Sequence, residues 1–341
     1  MSNIANSPAV PAKYSISSTP HVKDKSCTSG IMRDVLIALT PAALMGIYYF
    51  GLDAVITIAV CVLSCVLFEY LYQRIMKRKI IITDYSAAVT GLLLAINLPA
   101  SKNIGVAIAG SFFAIVLIKQ LFGGIGMNFV NPALGARAFL LLSYPTAMLY
   151  FPEVQRNFLN LGAEMGAVHA VSGATPLALL KQGIMPESAD YINALIGFHK
   201  GSLGETCAIA LILGGIYLII RKVISWRIPV SYVLSAIIMS FILGRGGQMM
   251  GGAPLYEVLT GGLLIGAIFM ATDYTTSPVT PLGQIIMGIG CGVITVFIRV
   301  LGGYPEGVSF AILLMNLATP LIDRFTRPKV FGKKKKKAEA I

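Results

Sequence analysis

The chain has 341 residues, of which 56% are hydrophobic and 12% charged, and its formal net charge is +12. Average soluble domains are about a quarter charged, so this composition argues against a soluble enzyme and indicates a protein that lies mostly in lipid. The positive charge is concentrated in short clusters beside apolar segments, which argues against nucleic acid as a partner and favours membrane lipid.

The N-terminal segment, residues 1–33, begins with a polar stretch rich in Ser and Pro. This stretch lacks the apolar core that a cleavable secretory signal needs. We therefore expect this segment to remain in the cytoplasm.

Ten apolar runs, separated by charged residues or by Pro and Gly, are each long enough to predict a membrane-spanning helix. The expected fold is an all-α polytopic membrane protein. The predicted spans are 34–51, 53–73, 84–100, 104–121, 132–150, 204–222, 228–244, 256–271, 282–300 and 305–323.

Basic residues set the expected orientation, because Lys and Arg concentrate in cytoplasmic loops. The clusters at 74–79 and 221–227 and the basic tail at 324–341 then lie in the cytoplasm, as do both termini. The long connection at 151–203 lies on the outer side of the inner membrane.

The two halves of the chain resemble each other, since the sequence that starts at Thr90-Gly91 is echoed from Thr260-Gly261. The predicted spans divide into two five-helix repeats, at 34–150 and 204–323. Five spans are an odd number, so the repeats must be inverted, and inverted repeats commonly place a ligand or ion site at their interface.

Five cysteines give no indication of a metal site. Cys61 and Cys65 lie one helical turn apart within a predicted span, without a CxxC pair or a nearby His. We interpret them as small apolar residues.

A Gly-rich break follows the fourth span and contains Asn128 and Asn131 before Pro132. Backbone groups freed by Gly and Pro at membrane depth must be buried in protein or line a cavity. The two amides could bind a ligand, or they could cap helices in a tight packing turn. Both interpretations remain open.

Charged residues within spans are costly and often mark ion paths or cofactor contacts. Arg137 follows Asn131 on the same helix, and Glu69 is a candidate for a cation route. Lys119 and Arg299 occupy corresponding places near span ends, so we expect both to extend to the membrane interface.

The most informative motif is Ser172-Gly173-Ala174-Thr175, followed by Pro-Leu-Ala in the long outer connection. It resembles the flavin attachment motif of the RnfD component of Rnf complexes and of the NqrB component of sodium-pumping NADH:quinone reductases. A run of four small residues is also common in ordinary loops. The chain departs from the family pattern at His169, where an acidic residue is usual.

Two further segments extend the resemblance over nearly the whole chain. The Asn131-Pro132-Ala133 segment matches the family, as does the segment from Ala271-Thr272-Asp273 to Pro281. Asp273 could help to hold a ligand, or it could cap and separate two helices.

The resemblance implies that a periplasmic transferase joins FMN to the hydroxyl of Thr175 through a phosphodiester bond. It also implies a second, non-covalent riboflavin toward the cytoplasmic side, for which Asn128 and Asn131 are the candidate contacts and the loop of Asp273 a further one. Arg137, one and a half turns after Asn131, could offset the negative charge of a reduced flavin. No protein nucleophile or general base is required, because a flavin supplies the redox chemistry.

The expected function follows from the same resemblance: a membrane subunit of an Rnf-type complex that relays electrons between ferredoxin and NAD while Na⁺ or H⁺ crosses the membrane. The implied partners are the other Rnf subunits, including a periplasmic FMN-carrying subunit and iron-sulfur subunits. The competing hypotheses are a solute channel or transporter and a structural anchor for redox subunits, both without flavin.

Overall fold

The computed structural model describes residues 27–100, 103–151, 175–184, 188–244 and 253–328. Within these ranges every regular element is helical. The helices are α1 Thr28–Phe50, α2 Leu52–Ile75, α3 Ser86–Asn97, α4 Ile104–Phe112 (continued by a π-helix, Phe113–Gln120), α5 Pro132–Ser143, α6 Pro145–Met148, α7 Pro176–Lys181, α8 Ser188–Ile196, α9 Ala208–Ile220, α10 Arg227–Leu243, α11 Pro254–Leu259, α12 Leu263–Ile265 (continued by a π-helix, Gly266–Met270), α13 Pro281–Leu301 and α14 Val308–Thr326.

Four helices, α1, α2, α13 and α14, are long and apolar enough to cross a membrane. Five shorter apolar segments, α3, α4 with its π-helix, α5, α9 and α10, have 10–17 residues. Each of the ten predicted spans contains a helix. The helix in the first span, α1, begins at Thr28 rather than at the predicted residue 34. The predicted outer connection contains α7 and α8. The chain is therefore a helical membrane protein.

Proline marks the start of several helices, because its fixed φ suits the first turn and its missing N–H would have no partner there. It is the first residue of α5, α7 and α13. In each case the preceding side chain, Asn131, Thr175 or Thr280, accepts a hydrogen bond from the first turn. These local signals fix where the helices begin.

Two elements that correspond in the predicted repeats are short or broken. Helix α3 has 12 residues and is about 18 Å long, against about 30 Å for the apolar layer of a bilayer. The carbonyls of Ile96, in its last turn, and of Leu98, just after it, accept hydrogen bonds from the backbone N–H groups of Gly204 and Leu203 at 2.8 and 3.1 Å. The other element is interrupted between α11 and α12, where Gly261 takes a φ of +73°.

Small residues bring the helices into close contact. Helix α1 packs against α9 where Gly214 faces the carbonyl of Ala38, and α10 packs against α13 where Ser235 faces Gly292. Helix α5 also contacts α14. Cys61 and Cys65 are buried within α2, as expected for small apolar residues.

Lys119 and Arg299 do not extend to the membrane interface, so that prediction was wrong. Their exposed fractions are 3% and 0%. Lys119 forms an ion pair with Glu69 at 2.8 Å, and Arg299 donates from Nη1 to the carbonyl of Glu257 at 2.6 Å. Interior partners hold both cations inside the protein.

Candidate functional sites

A cavity of about 110 Å³ lies where α1 and α3 begin and α9 ends. Asn128, Asn131 and residues 272–275 line it, together with apolar side chains of α1 and α3. We call it the Asn131 cavity.

The polar residues predicted around this break do come together. Asn131 Oδ1 caps α5 by accepting from the backbone N–H groups of Ala133 and Leu134, at 3.0 and 3.3 Å. Its Nδ2 donates to the carbonyl of Met270 at 3.4 Å. The capping interpretation of Asn131 is therefore confirmed, and the same amide forms part of the cavity wall.

Asn128 and Asp273 meet at the mouth of the Asn131 cavity. Asn128 Nδ2 donates to the carbonyl of Val130 at 3.0 Å and also contacts the Asp273 carboxylate. Burial raises the pKa of Asp273, while hydrogen bonds from Thr275, Thr276 and Asn128 oppose the rise. The loops before α5 and after α12 are thus joined by side-chain hydrogen bonds.

A buried charged network supports the wall of the Asn131 cavity. Lys119 Nζ donates to Glu69 Oε2 at 2.8 Å and to Ser86 Oγ at 2.6 Å. Glu69 Oε1 also accepts from Gln120 Nε2 at 2.7 Å, and Ser86 Oγ donates to Asp84 Oδ2 at 2.9 Å. The network provides a cation at the cavity wall while its charge remains paired.

A second, smaller cavity, of about 30 Å³, lies at the opposite end of α3. Asn97, Arg137 and Glu306 provide its polar wall, and Phe151, Tyr304 and Phe310 provide aromatic surfaces. We call it the Arg137 cavity. Aromatic faces beside a fixed cation suit a planar ligand that carries negative charge.

Arg137 organises this second cavity. Its Nη1 donates to Asn97 Oδ1 at 2.9 Å. Its Nη2 donates to Glu205 Oε1 at 3.1 Å and also to Glu306 Oε2. Burial and the neighbouring Glu205 raise the pKa of Glu306, although Arg137 opposes the rise.

A chain of side-chain contacts joins the two cavities. Asn131 donates to the carbonyl of Met270. The Met270 sulfur atom accepts from Asn97 Nδ2 at 3.6 Å, and Asn97 Oδ1 accepts in turn from Arg137. Asn97 also donates to the carbonyl of Leu93, which lines the Asn131 cavity, at 2.7 Å. One helical turn of α3, about 6 Å, therefore separates residues of the two cavities.

Thr175 begins α7 at the same end of the molecule as the Arg137 cavity. Its Oγ1 accepts from the backbone N–H of Ala178 at 3.3 Å. Farther along α7, Leu177 lies against Gly261, and Lys181 Nζ donates to the carbonyl of Gly302. Ser172, Gly173 and Ala174 of the predicted motif, and His169, lie outside the described residues.

The geometry separates the predicted contact residues into two groups. Asn128, Asn131 and Asp273 belong to the Asn131 cavity, whereas Arg137 belongs to the other. Sequence reasoning missed three residues of the Arg137 cluster. These are Asn97, Glu205 and Glu306. Each is a polar or acidic side chain at the edge of an apolar run, and that signal could have identified them.

Comparison with known proteins identifies close relatives. The model of the NQR2, RnfD, RnfE family matches residues 15–332. The chain is 47% identical over 331 residues to the D component of the Na⁺-translocating ferredoxin:NAD⁺ oxidoreductase complex of Acetobacterium woodii, covering 95% of this chain and 97% of that protein. It is 42% identical to the D component of the proton-translocating ferredoxin:NAD⁺ oxidoreductase complex of Clostridium ljungdahlii, covering 94% and 96%.

Proposed function

The chain belongs to the NQR2, RnfD, RnfE family, and we propose that it is the RnfD component of an ion-translocating ferredoxin:NAD⁺ oxidoreductase complex. In this proposal FMN is attached to Thr175, a second flavin is bound without a covalent bond, and electrons pass through both. A flavin can accept and release one or two electrons, which is the redox chemistry that the amino acids of the chain lack.

The single observation that carries the proposal is the pair of cavities joined by Asn131, Met270, Asn97 and Arg137. A solute transporter needs one site that opens alternately to either side. Two sites at opposite ends of α3, separated by a closely packed wall, instead suit cofactors that exchange electrons without moving through the protein.

The residues of the Arg137 cavity fit the flavin carried by Thr175. Lys181 anchors α7 to Gly302, and the same connection supplies Tyr304 and Glu306 to the cavity wall. Arg137 would stabilise negative charge on a reduced ring, and the aromatic side chains would pack against it. The N-cap position of Thr175 holds its hydroxyl at the end of a helix.

The residues of the Asn131 cavity fit a neutral flavin such as riboflavin. Asn128, Asn131 and the hydroxyl groups of residues 272–275 offer hydrogen bonds to a ring edge, and Val89 and Phe269 offer apolar contact. Lys119 would place a positive charge near the ring without losing its partner Glu69.

The topology in this proposal has ten spans arranged as two inverted five-helix repeats, 34–150 and 204–323. Contacts between α1 and α9 and between α5 and α14 support it, because these pairs hold corresponding positions in the repeats. Both termini and the Asn131 cavity then face the cytoplasm of a cell with an inner membrane, and the 151–203 connection with the Arg137 cavity faces outward.

The partners in this proposal are the remaining subunits of the complex, including an FMN-carrying subunit on the outer side and iron-sulfur subunits, together with the transferase that modifies Thr175. The coupling ion is Na⁺ or H⁺. The two relatives named above differ in this respect, since one is named Na⁺-translocating and the other proton-translocating.

Covalent attachment can be tested by expressing the full chain with its flavin transferase and recording ultraviolet fluorescence of the denatured band. Mass analysis of the peptide around Thr175 then locates the modification. Thr280→Ala is the matched control for Thr175→Ala, because both threonines cap a helix ahead of a proline. Each change should cost about 1 kcal/mol of stability through the lost cap.

We expect a fluorescent band with FMN mass for the unaltered chain and for Thr280→Ala, and a dark band for Thr175→Ala. A fluorescent Thr175→Ala band would contradict the attachment site. A dark unaltered chain beside a modified control protein would contradict the covalent flavin and favour the transporter or anchor hypothesis.

A further inference from the structure

Two carboxylates share one nitrogen atom at the edge of the Arg137 cavity. Glu205 Oε1 and Glu306 Oε2 both accept from Nη2 of Arg137. Two acidic groups held this closely repel each other when both are ionised, so one of them gains affinity for a proton. The geometry itself therefore creates a proton-binding pair.

Glu306 is the member of the pair that a proton can reach. Its side chain is 18% exposed and lines the cavity, whereas Glu205 is 2% exposed. Glu205 Oε2 also accepts from the backbone N–H of Ser202, which favours its ionised form. Proton uptake is thus directed to Glu306.

The charged groups around Glu306 come from several elements. Arg137 of α5 and Glu205 of the connection before α9 contact it directly. Arg299 of α13 also lies near it, since both side chains border the same point beside Gly261. Arg299 Nη2 lies 3.2 Å, and Glu306 Oε1 3.7 Å, from the place where a β-carbon on Gly261 would be. Nε and Nη2 of Arg299 have no hydrogen-bond partner among the described residues.

The remaining groups lie at the border of this cluster. His199 stands beside Gly201 and the backbone of Glu205, and Lys181 bonds to Gly302 on the same connection as Glu306. Burial holds the pKa of His199 at about 4, so its ring is neutral near pH 7. Arg137 and Arg299 therefore face Glu205 and Glu306, and a third buried acidic residue, Glu257 of α11, accepts from Arg299 through its backbone carbonyl. Further negative charge in the cavity raises the affinity of its carboxylates for a proton.

We propose that Glu306 is a proton acceptor that takes up one proton when a flavin in the Arg137 cavity gains one electron. The inference rests on the proposed function, which supplies the electron from a reduced flavin of a partner subunit. A proton from the outer aqueous phase forms an O–H bond with the Glu306 carboxylate, and Arg137 stays cationic. The added electron and the added proton leave the net charge of the cavity unchanged.

The test uses the full chain carrying covalent flavin, reduced electrochemically in an infrared cell. The reduced-minus-oxidised spectrum should contain the C=O stretch of a protonated carboxyl group, which shifts in heavy water. Glu306→Gln should remove the band, and Glu306→Asp should restore it at a shifted frequency. Asp190→Asn, a carboxylate of α8 at the same end of the molecule, is the control and should retain the band.

The flavin midpoint potential measured against pH gives a second readout that a purely structural role would not move in this way. A neutral glutamine should raise the flavin midpoint potential above that of the unaltered protein. The difference should grow with pH across the range in which the Glu306 carboxyl group ionises, because glutamine does not ionise. The flavin's own protonation contributes equally to both proteins and cancels in the difference.

A constant difference in potential, or an infrared band that survives Glu306→Gln, would overturn the inference and leave the proposed function intact. A protein without attached flavin would overturn both, and fluorescence of the denatured band identifies that outcome separately. If Glu306→Gln does not fold, Glu306→Asp is compared with the unaltered chain. A carboxyl C=O band at a shifted frequency would support the inference, and a band at the same frequency would overturn it.

Discussion

Lys119 Nζ lies 2.8 Å from Glu69 Oε2, although the two residues are 50 positions apart in the chain and each side chain is less than 5% exposed. Breaking a buried pair leaves one unpaired charge in a medium of low dielectric constant. We therefore expect Lys119→Met to cost about 3–5 kcal/mol of unfolding free energy.

The exposed pair of Arg221 and Asp34 provides the control for that prediction. Arg221 is 54% exposed at its side chain, so Arg221→Met should cost less than about 1 kcal/mol. Thermal unfolding in detergent checks both variants, and the double variant Lys119→Met with Glu69→Leu should recover much of the loss. Equal losses at Lys119 and Arg221 would contradict the buried network.

Gly204, in the connection before α9, lies against helix α3, where its backbone N–H donates to the carbonyl of Ile96 at 2.8 Å. A β-carbon at Gly204 would overlap Ile96 Cγ2, so we expect Gly204→Ala to cost about 1–3 kcal/mol. Gly303→Ala is the control, because no atom lies within 4 Å of its β-carbon position. In an Ile96→Ala background the Gly204→Ala penalty should fall but not vanish, because the β-carbon at position 96 and Ile265 Cδ1 remain 3.0 and 3.3 Å from the new methyl group. An unchanged penalty would rule out the contact with Ile96 Cγ2.

His199 makes the stability of the connection between α8 and α9 depend on pH. Burial lowers its pKa to about 4, whereas the unfolded chain titrates near 6.5. The stabilising contribution is complete above pH 6.5 and is lost as the pH falls from about 6.5 to about 4, with a loss of about 2 kcal/mol between pH 7 and pH 5. Thermal midpoints at both pH values should differ less for His199→Phe than for the unaltered chain. Identical pH dependence in the two proteins would contradict a buried neutral histidine.

Asn128 provides a test of the non-covalent flavin in the Asn131 cavity. Asn128→Leu keeps the side-chain volume but removes the amide, and the loss of one hydrogen bond should weaken retention about tenfold. Acid extraction of the purified protein measures this flavin, and in-gel fluorescence should show the covalent flavin unchanged. Asn103→Leu, at the exposed start of α4, should retain both flavins. Full retention by Asn128→Leu would exclude the amide as a contact.

Much of the fold could be predicted because local signals decide it. Apolar runs bounded by Gly, Pro and charge mark the long apolar helices but not α7 and α8. Asn131-Pro132 and Thr175-Pro176 mark helix starts. The partners of the buried cations could not be predicted. Glu69 with Lys119, and Glu257 with Arg299, meet only when distant helices pack, and neither pair follows a helical spacing.

In the candidate sites too, some residues could be predicted from the sequence, whereas others meet only when distant segments pack. Asn128, Asn131 and Asp273 were identified from broken helices and from a family resemblance, and they share one cavity. Arg137 was assigned to the same group because it follows Asn131 on one helix. Because Arg137 lies farther along α5 than Asn131, its side chain lines the Arg137 cavity instead. There it bonds to Glu205 and Glu306, which lie in connections distant in the sequence.

The central claim, that electrons cross between the two cavities, is tested most directly in proteoliposomes that carry both flavins. A reductant that cannot cross the membrane is added on the side of Thr175, and absorbance follows the non-covalent flavin in the Asn131 cavity. We predict that this flavin is reduced in the unaltered protein and in Thr280→Ala but stays oxidised in Thr175→Ala. Equal reduction in all three proteins would contradict a path that starts from Thr175.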